Sequence, residues 1–417
     1  MKRILLATTG SLGDLHPMLA IGLGLQERGH TAVIASGEAY REKVMRTGLQ
    51  FAPMGPHFEP GSAFIRELFH PVKGPELLIR KMMFPGVPAA YTEALEALRG
   101  CDLAVTHPIT FGAQIAVEKL GLPWVSTVTA PLSLPSRYDP PVYSPAPFLG
   151  KLRVLGPGVN GFLLKTGKAA VRHWSKPIRQ FRISLGLPPG EDPIFDGQHS
   201  PRCVLAMFSR VMAEPQPDWP KQTQLIGFPF YDQVEHGQNL DGELERFLDS
   251  GPPPVVFTLG SSAVFNAGTF YRESLTAVRR LGCRAVFLAG RNVISDPLPA
   301  GTIAWPYAPY SKILPRAACV VHQGGIGTCG QTLAAGKPML VVPFAFDQPD
   351  NAARLQRLGV ARTIGRKRYT GQRAAVELDQ LLTDRDYAKR AAEVATRVDA
   401  ENAVRAACDA IEARAGG

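Results

Sequence analysis

Residues Trp305 to Asn351 read WPYAPYSKILPRAACVVHQGGIGTCGQTLAAGKPMLVVPFAFDQPDN. The apolar run Ala318 to Val321 predicts a strand, which leads through His322 and Gln323 into Gly324, Gly325, Gly327 and Thr328. A helix to Ala335 is expected next, then a second apolar strand from Met339 to Val342, Pro343, and the polar pair Asp347-Gln348. A strand that stops in glycines and opens a helix leaves several backbone N–H groups unpaired at the positive end of a helix dipole, a natural seat for a phosphate or diphosphate. The glycines let the anion come close to the backbone. Taken alone, such a turn is equally a plain βα connection. The polar pair beyond the next strand lies where ligands bind in open parallel sheets and favours the phosphate reading.

Outward from this stretch, the chain alternates strand and helix. Before it come predicted strands at Val255–Leu259, Arg284–Ala289 and Thr302–Trp305, with Gly260-Ser261-Ser262 ending the first and a helix over about Ala267–Leu281. At the N-terminus the strand Lys2–Thr9 runs into Gly10-Ser11-Leu12-Gly13 and Asp14. A helix over about Leu15–Arg28 follows, with Pro17 in its first turn and Gly29 at its end, then a strand at Thr31–Ala35. Further strands are expected at Asp102–Thr106, ending in His107-Pro108, and at Trp124–Thr129, Cys203–Met207 and Gln224–Gly227. Two such β/α series predict an α/β protein of two Rossmann-like open parallel-sheet domains facing a cleft. The first turn spells G-S-L-G-D, not GxGxxG, which disfavours a dinucleotide cofactor and hence a dehydrogenase.

Composition agrees. The 417 residues are 45% hydrophobic and 20% charged, as expected for a globular chain of two domains. No apolar run is long enough for a membrane span, and Ile4–Ala7 is too short for a secretory core, so a cytoplasmic protein is expected. The six cysteines form no CxxC pair, which argues against zinc ribbons and thioredoxin chemistry. The net charge of +10 raises nucleic acid as a partner, but no nucleic-acid module is recognisable and none is expected to bind. Residues 151–182 carry eight Lys/Arg and no Asp or Glu, interleaved with Phe162, Leu163, Leu164 and Trp174. That pattern fits a solvated face or a peripheral contact with anionic membrane.

The motifs Y-A-P-x-x-x-I-L, H-x-G-G-x-G-T, A-G-K-P, P-x-x-x-D-Q and N-A, in this order, resemble the donor-binding signature of inverting nucleotide-sugar glycosyltransferases of the two-Rossmann-domain (GT-B) type. That group includes bacterial rhamnosyl-, macrolide and sterol glycosyltransferases and plant secondary-product enzymes. The first turn, Gly10, Ser11, Gly13, Asp14 and Pro17, resembles the sterol and macrolide form, G-S-x-G-D-x-x-P. The resemblance implies an acceptor-binding domain at 1–230, a linker at 231–250, a nucleotide-sugar-binding domain at 251–395, and a final helix at 396–417 that returns to the first domain. It implies metal-independent inverting transfer of a hexose from a UDP- or dTDP-sugar to a hydroxyl of an apolar small-molecule or lipid acceptor, with no cofactor.

The same resemblance assigns roles. Asp14 falls at the catalytic base and His107 at its partner. Ser261, His322, Gln323, Gly324, Gly325, Gly327 and Thr328 fall at the donor diphosphate. Tyr307 falls where an aromatic ring stacks on the base, with Ala308 beside it, and Gln331 falls at the ribose. Asp347 and Gln348 match the pair that holds the donor sugar. Tyr310 stands where plant members have glutamine. His16, Phe64 and Phe84 are candidates for the acceptor side, in a Pro-, Phe- and Met-rich stretch over 50–100, although core packing explains the phenylalanines equally well. Asp14 is also placed where a helix N-cap is expected. Asp384-Arg385-Asp386 is the only Asp-x-Asp triplet, and its charged, alanine-rich surroundings mark it as a solvated helix face, not a metal site. Two other functions remain open on the same architecture: a nucleotide-sugar epimerase or hydrolase, and a non-catalytic partner of a transferase.

Overall fold

A computed structural model describes residues 1–56, 67–231, 240–294 and 296–415. Phe64, one of the acceptor-side candidates, lies outside them. The chain forms two parallel sheets. The first holds β1 (Arg3–Ala7), β2 (Thr31–Ser36), β3 (Gln50–Pro53), β4 (Leu103–Thr106), β5 (Trp124–Val128), β6 (Val204–Ala206) and β7 (Thr223–Leu225), in the order β3-β2-β1-β4-β5-β6-β7. The second holds β8 (Val255–Thr258), β9 (Ala285–Leu288), β10 (Thr302–Trp305), β11 (Cys319–His322), β12 (Met339–Val341) and β13 (Ala361–Thr363), in the order β10-β9-β8-β11-β12-β13. Central strands such as β4, β8 and β11 are buried along their whole length because helices cover both faces, which is why they read as continuous apolar runs.

Both sheets reverse their strand order next to their first strand: between β1 and β4, and between β8 and β11. Ligands in open α/β sheets bind beyond the carboxyl ends of the strands at such a reversal. The turns there are residues 8–11 after β1, His107 after β4, Gly260-Ser261 after β8, and Gln323 to Gly325 after β11.

Three local features differ from the sequence expectation. The first helix spans Leu12–Glu27 and starts three residues early. Ser11 is the N-cap and Asp14 the third helical residue, the two joined in a capping box. β3 falls in the Pro-, Phe- and Met-rich stretch where no strand is expected; its exposed and half-exposed residues at the sheet edge give no apolar alternation to read. β13 is three residues long and holds Arg362, too short to show a pattern.

The halves share apolar packing. One buried cluster joins Val128, Leu134, Ala206, Phe208, Met212 and Trp219 of the first to Cys329, Leu333, Val341, Ala352 and Leu355 of the second, with Phe228 between. The helix Gly242–Asp249, within the stretch expected as a linker, packs Leu244 and Leu248 with Val256 and Val286 of the second sheet. The last helix, Ala403–Ala415, returns to the first helix. A Cβ on Gly24 would fall 2.6 Å from Val404 Cγ1, and Arg28 reaches Asp409 at 2.6 Å and Glu412 at 2.8 Å.

Half of the basic run at 151–182 is neutralised internally: Arg153 faces Asp139, Lys168 Asp196, Arg179 Asp192 and Arg182 Glu118. Phe148, Val154 and Phe162 beside it are exposed. Among the described residues, no helix is long and apolar enough to cross a membrane.

Candidate active site

The first half's contribution is built on the turn after β1. Gly10 has a φ of +124°, and a Cβ there would lie 2.4 Å from Asp14 Oδ2, so only glycine leaves room for the carboxylate. Tyr40 donates its hydroxyl to the Gly10 carbonyl at 2.9 Å and steadies the turn. Asp14 Oδ2 accepts from the Ser11 backbone N–H at 2.7 Å and hydroxyl at 3.1 Å. Its other oxygen, Oδ1, lies 3.2 Å from His107 Nε2. The geometry falls short of a well-formed hydrogen bond, and neither ring nitrogen of His107 has an aligned partner. Burial pushes the Asp14 carboxyl up, but His107 and the Ser11 donors outweigh it and hold the carboxyl below its ordinary value. The Asp14 side chain keeps 27% of its exposure, against 5% for His107. Asp14 therefore faces the cleft and His107 stands behind it.

The second half's contribution starts at β11. His322 is fully buried, and its Nδ1 accepts from the Gly324 N–H at 3.1 Å. Burial pulls the imidazole down to about 3, so it is neutral. Gly324 has φ +88°, and a Cβ there would meet Val341 Cγ1 at 2.8 Å. Gly325 is the N-cap of the helix Ile326–Ala334, and no side chain caps that end. The amides at residues 325–328 thus have no partner within the helix. A Cβ on Gly260 would lie 2.6 Å from Gln323 Nε2 and 3.4 Å from Thr328 Oγ1. The turn after β8, with half-buried Ser261, therefore abuts the glycine turn after β11. Gln323 is buried and its Oε1 lacks a partner.

The polar pair beyond β12 opens the helix Gln348–Arg357. Gln348 turns its Oε1 back to accept from the N–H groups of Phe344 (2.8 Å) and Ala345 (3.1 Å), which leaves its amide nitrogen for a ligand. Asn351 donates to both the Gly324 carbonyl (2.9 Å) and Asp347 Oδ2 (2.7 Å), so it ties the turns after β11 and β12 together. Burial pushes the Asp347 carboxyl up to about 7; Asn351 opposes this, and the charges of Asp14 and Asp350 add to it. Asp14 follows β1 of one half and Asp347 follows β12 of the other, both beyond the carboxyl ends of their sheets' strands.

Not every expected side chain joins them. His322 shapes the glycine turn from within the core and presents no charge to a ligand, because a fully buried imidazole sheds its proton. Ala308 is 1% exposed in the core beneath β10, so only its backbone is available to a base. Phe84 is 5% exposed and packs edge-on against Phe111 at 5.3 Å in the core of the first sheet, so it lines no open acceptor surface. His16 stacks edge-on with Tyr231 at 5.2 Å, is pulled down to about 4 by burial and by Lys43, and is neutral. Tyr307 is half exposed and Gln331 half buried. Tyr310 shares a 2.8 Å hydrogen bond with Thr258.

Two residues, Tyr40 and Phe346, escaped the sequence reading, and two in stretches that it named, Asn351 and Phe69, make contacts it did not foresee. Asn351 was part of a matched motif, yet its two bonds depend on the fold. Tyr40 sits 30 residues from the turn it holds. Phe69 crosses from the first half into the core of the second and meets Phe346, the one described non-glycine residue with positive φ (+57°), at 5.7 Å. No local pattern marks Tyr40 or Phe346. Among the described residues, no group of His, Cys, Asp or Glu is arranged to hold a metal ion.

Comparison with known proteins places this geometry. Residues 4–128 match the glycosyltransferase family 28 N-terminal domain, and residues 289–411 match the erythromycin biosynthesis protein CIII-like C-terminal domain. The chain is 33% identical to the O-mycaminosyltylonolide 6-deoxyallosyltransferase of Streptomyces fradiae, over 98% of this chain and 97% of that protein. Among solved structures, the glycotransferase of kitacinnamycin superposes with a TM-score of 0.73 at 22% identity, covering 99% of each chain. The glycosyltransferase VinC in complex with dTDP superposes at 0.70 and 20%, again covering 99% of each. These two share the two-sheet GT-B fold. The chain belongs to the family of glycosyltransferases that join a family 28 N-terminal domain to an erythromycin biosynthesis protein CIII-like C-terminal domain.

Proposed function

We propose that the protein transfers a hexose or deoxyhexose, with inversion, from a dTDP-sugar to a hydroxyl of an apolar natural product. The observation that carries this is the contact of Asp14 with His107 at the strand reversal of one sheet, together with an uncapped, glycine-led helix start at the reversal of the other. A thymidine nucleotide is preferred to uridine because VinC was solved with dTDP and the Streptomyces fradiae relative is named for a deoxysugar. Half-exposed Tyr307 is the face on which the pyrimidine stacks. The diphosphate rests on the amides of residues 325–328, with Thr328, Gln323 and Ser261 as side-chain donors. Asp347 and Gln348 Nε2 hold the sugar end, and buried Asn351 fixes Asp347 from behind.

The acceptor hydroxyl gives its proton to Asp14 as its oxygen attacks the anomeric carbon, opposite the leaving diphosphate. His107 orients the carboxylate from behind. The negative charge that grows on the leaving oxygen is met by the helix-start amides and their dipole. Base catalysis of this kind contributes about 10²–10⁴ in rate. Asp14→Asn tests the reading, because asparagine keeps an oxygen for the Ser11 capping bonds. With saturating dTDP-sugar, turnover falls by about 10²–10⁴, while dTDP still raises the melting temperature as it does in the wild type. Wild-type turnover in this variant, or a product that keeps the donor's anomeric configuration by NMR, overturns it. An epimerase or hydrolase would consume donor at the full rate without acceptor, and the same assay separates that case.

A further inference from the structure

The helix that starts at Asp347-Gln348 is gripped from the other half of the molecule. Asp350 and Arg354 lie one turn apart on it, 0% and 4% exposed. Arg354 Nε donates to Asp350 Oδ2 at 2.8 Å. Its Nη1 donates to Asp139 Oδ2 and to the Met212 carbonyl, the latter at 3.2 Å. Asp350 Oδ1 accepts from the Val142 backbone N–H at 2.9 Å. Asp139 and Val142 follow β5, and Met212 follows β6, so all three belong to the first sheet's half. Arg357 and Arg153 also approach Asp139, at 3.4 and 3.6 Å.

A buried ion pair of this kind is a poor source of stability, since desolvation offsets most of the attraction. It is directional, however. The Gln348–Arg357 helix also carries Asn351, which holds both Asp347 and the glycine turn. Any shift of this helix relative to the first half moves the sugar relative to Asp14. A misplacement of about 1 Å can cost about 10² in rate.

We propose that the Asp139–Arg354–Asp350 bridge is a positioning device that sets the sugar-holding turn at attack distance from the acceptor hydroxyl on Asp14. This rests on the transfer mechanism given above. Asp139→Asn tests it, because the variant keeps the Arg354–Asp350 pair within the helix and cuts the charge tie to the other half. The expected result is a 10- to 100-fold loss of kcat for transfer, with dTDP affinity unchanged. Donor hydrolysis by water falls less, since a small mobile nucleophile needs no fixed acceptor seat, so the ratio of transfer to hydrolysis drops. A second variant, Asp350→Leu with Arg354→Met and Arg357→Gln, removes all three helix charges at this contact, because Arg357 also reaches Asp139, and is expected to fold and to show the same skewed ratio. Transfer within twofold of wild type in both variants overturns the proposal, as does an equal fall in transfer, hydrolysis and dTDP affinity. Either result leaves the role of Asp14 standing, because that role is judged on Asp14→Asn alone.

Discussion

Asp347 has the most consequential chemistry of any single residue. Its carboxyl is pushed up to about 7, first by burial and then by the charges of Asp14 and Asp350, against the pull of Asn351. Sugar hydroxyls are best accepted by the ionised form. The kcat/KM for donor, which reports free enzyme, should therefore rise about tenfold per pH unit below 7 and level off above it. Asp14 is held below its ordinary value and stays ionised throughout that range, so it adds no limb there. Asp347→Asn should abolish the limb along with most of the activity; a limb that survives in residual turnover would assign it elsewhere. Stability gives an independent reading. An unfolded aspartate titrates near 3.9, so between about pH 4 and 7 the folded state binds more protons and stability falls as pH rises. Asp347→Asn should thus raise the melting temperature more at pH 8 than at pH 5. The aspartate itself was plain in the D-Q motif. Its ionisation was not, because it depends on burial and on a charge 333 positions away in the chain.

At the scale of elements, the decisive unit is the strand–glycine–helix turn from β11 into the Ile326–Ala334 helix. It was legible because its signal is local: an apolar run, glycines, a helix, all within 20 residues. What the local signal hid was the division of labour inside it. His322 and Gln323 are neighbours of similar polarity, yet one is locked in the core beneath the turn and the other abuts the turn after β8. Strand alternation separates them, and the exact end of β11 decides which faces in. The positive φ of Gly324 and its approach to Val341 make Gly324→Ala a sharp test of the turn. The methyl group forces the turn open and costs about 1–3 kcal/mol of backbone strain. The expected outcome by calorimetry is dTDP affinity at least tenfold weaker, with the far-UV spectrum unchanged; unaltered affinity would remove the turn from the diphosphate site. The short edge strands β3 and β13 were missed for the opposite reason, since three or four residues carry no period to detect.

The whole molecule was legible as two β/α series, because each sheet is written in consecutive strands and helices. Their union was not, since it rests on residues drawn from both series. Two open sheets joined by a linker would ordinarily behave as separate domains with small, polar contacts. Here an apolar cluster spans both, with Phe228 wedged so close to Gly330 of the Ile326–Ala334 helix that a Cβ there would fall 2.9 Å from its ring. The last helix closes the circuit by packing back on the first. Neither half buries its apolar surface fully without the other. The protein should therefore unfold in one cooperative transition, with calorimetric and van't Hoff enthalpies equal. On the proposed function dTDP binds the second half, and it should nevertheless shift the whole transition upward. Phe228→Ala is the matching perturbation. Removing a buried phenylalanine costs about 3–5 kcal/mol, and at this seam it should lower the melting temperature and split the transition in two, with dTDP moving only the component that contains the second sheet. A single transition that persists in Phe228→Ala would show that Phe228 is not what couples the two halves.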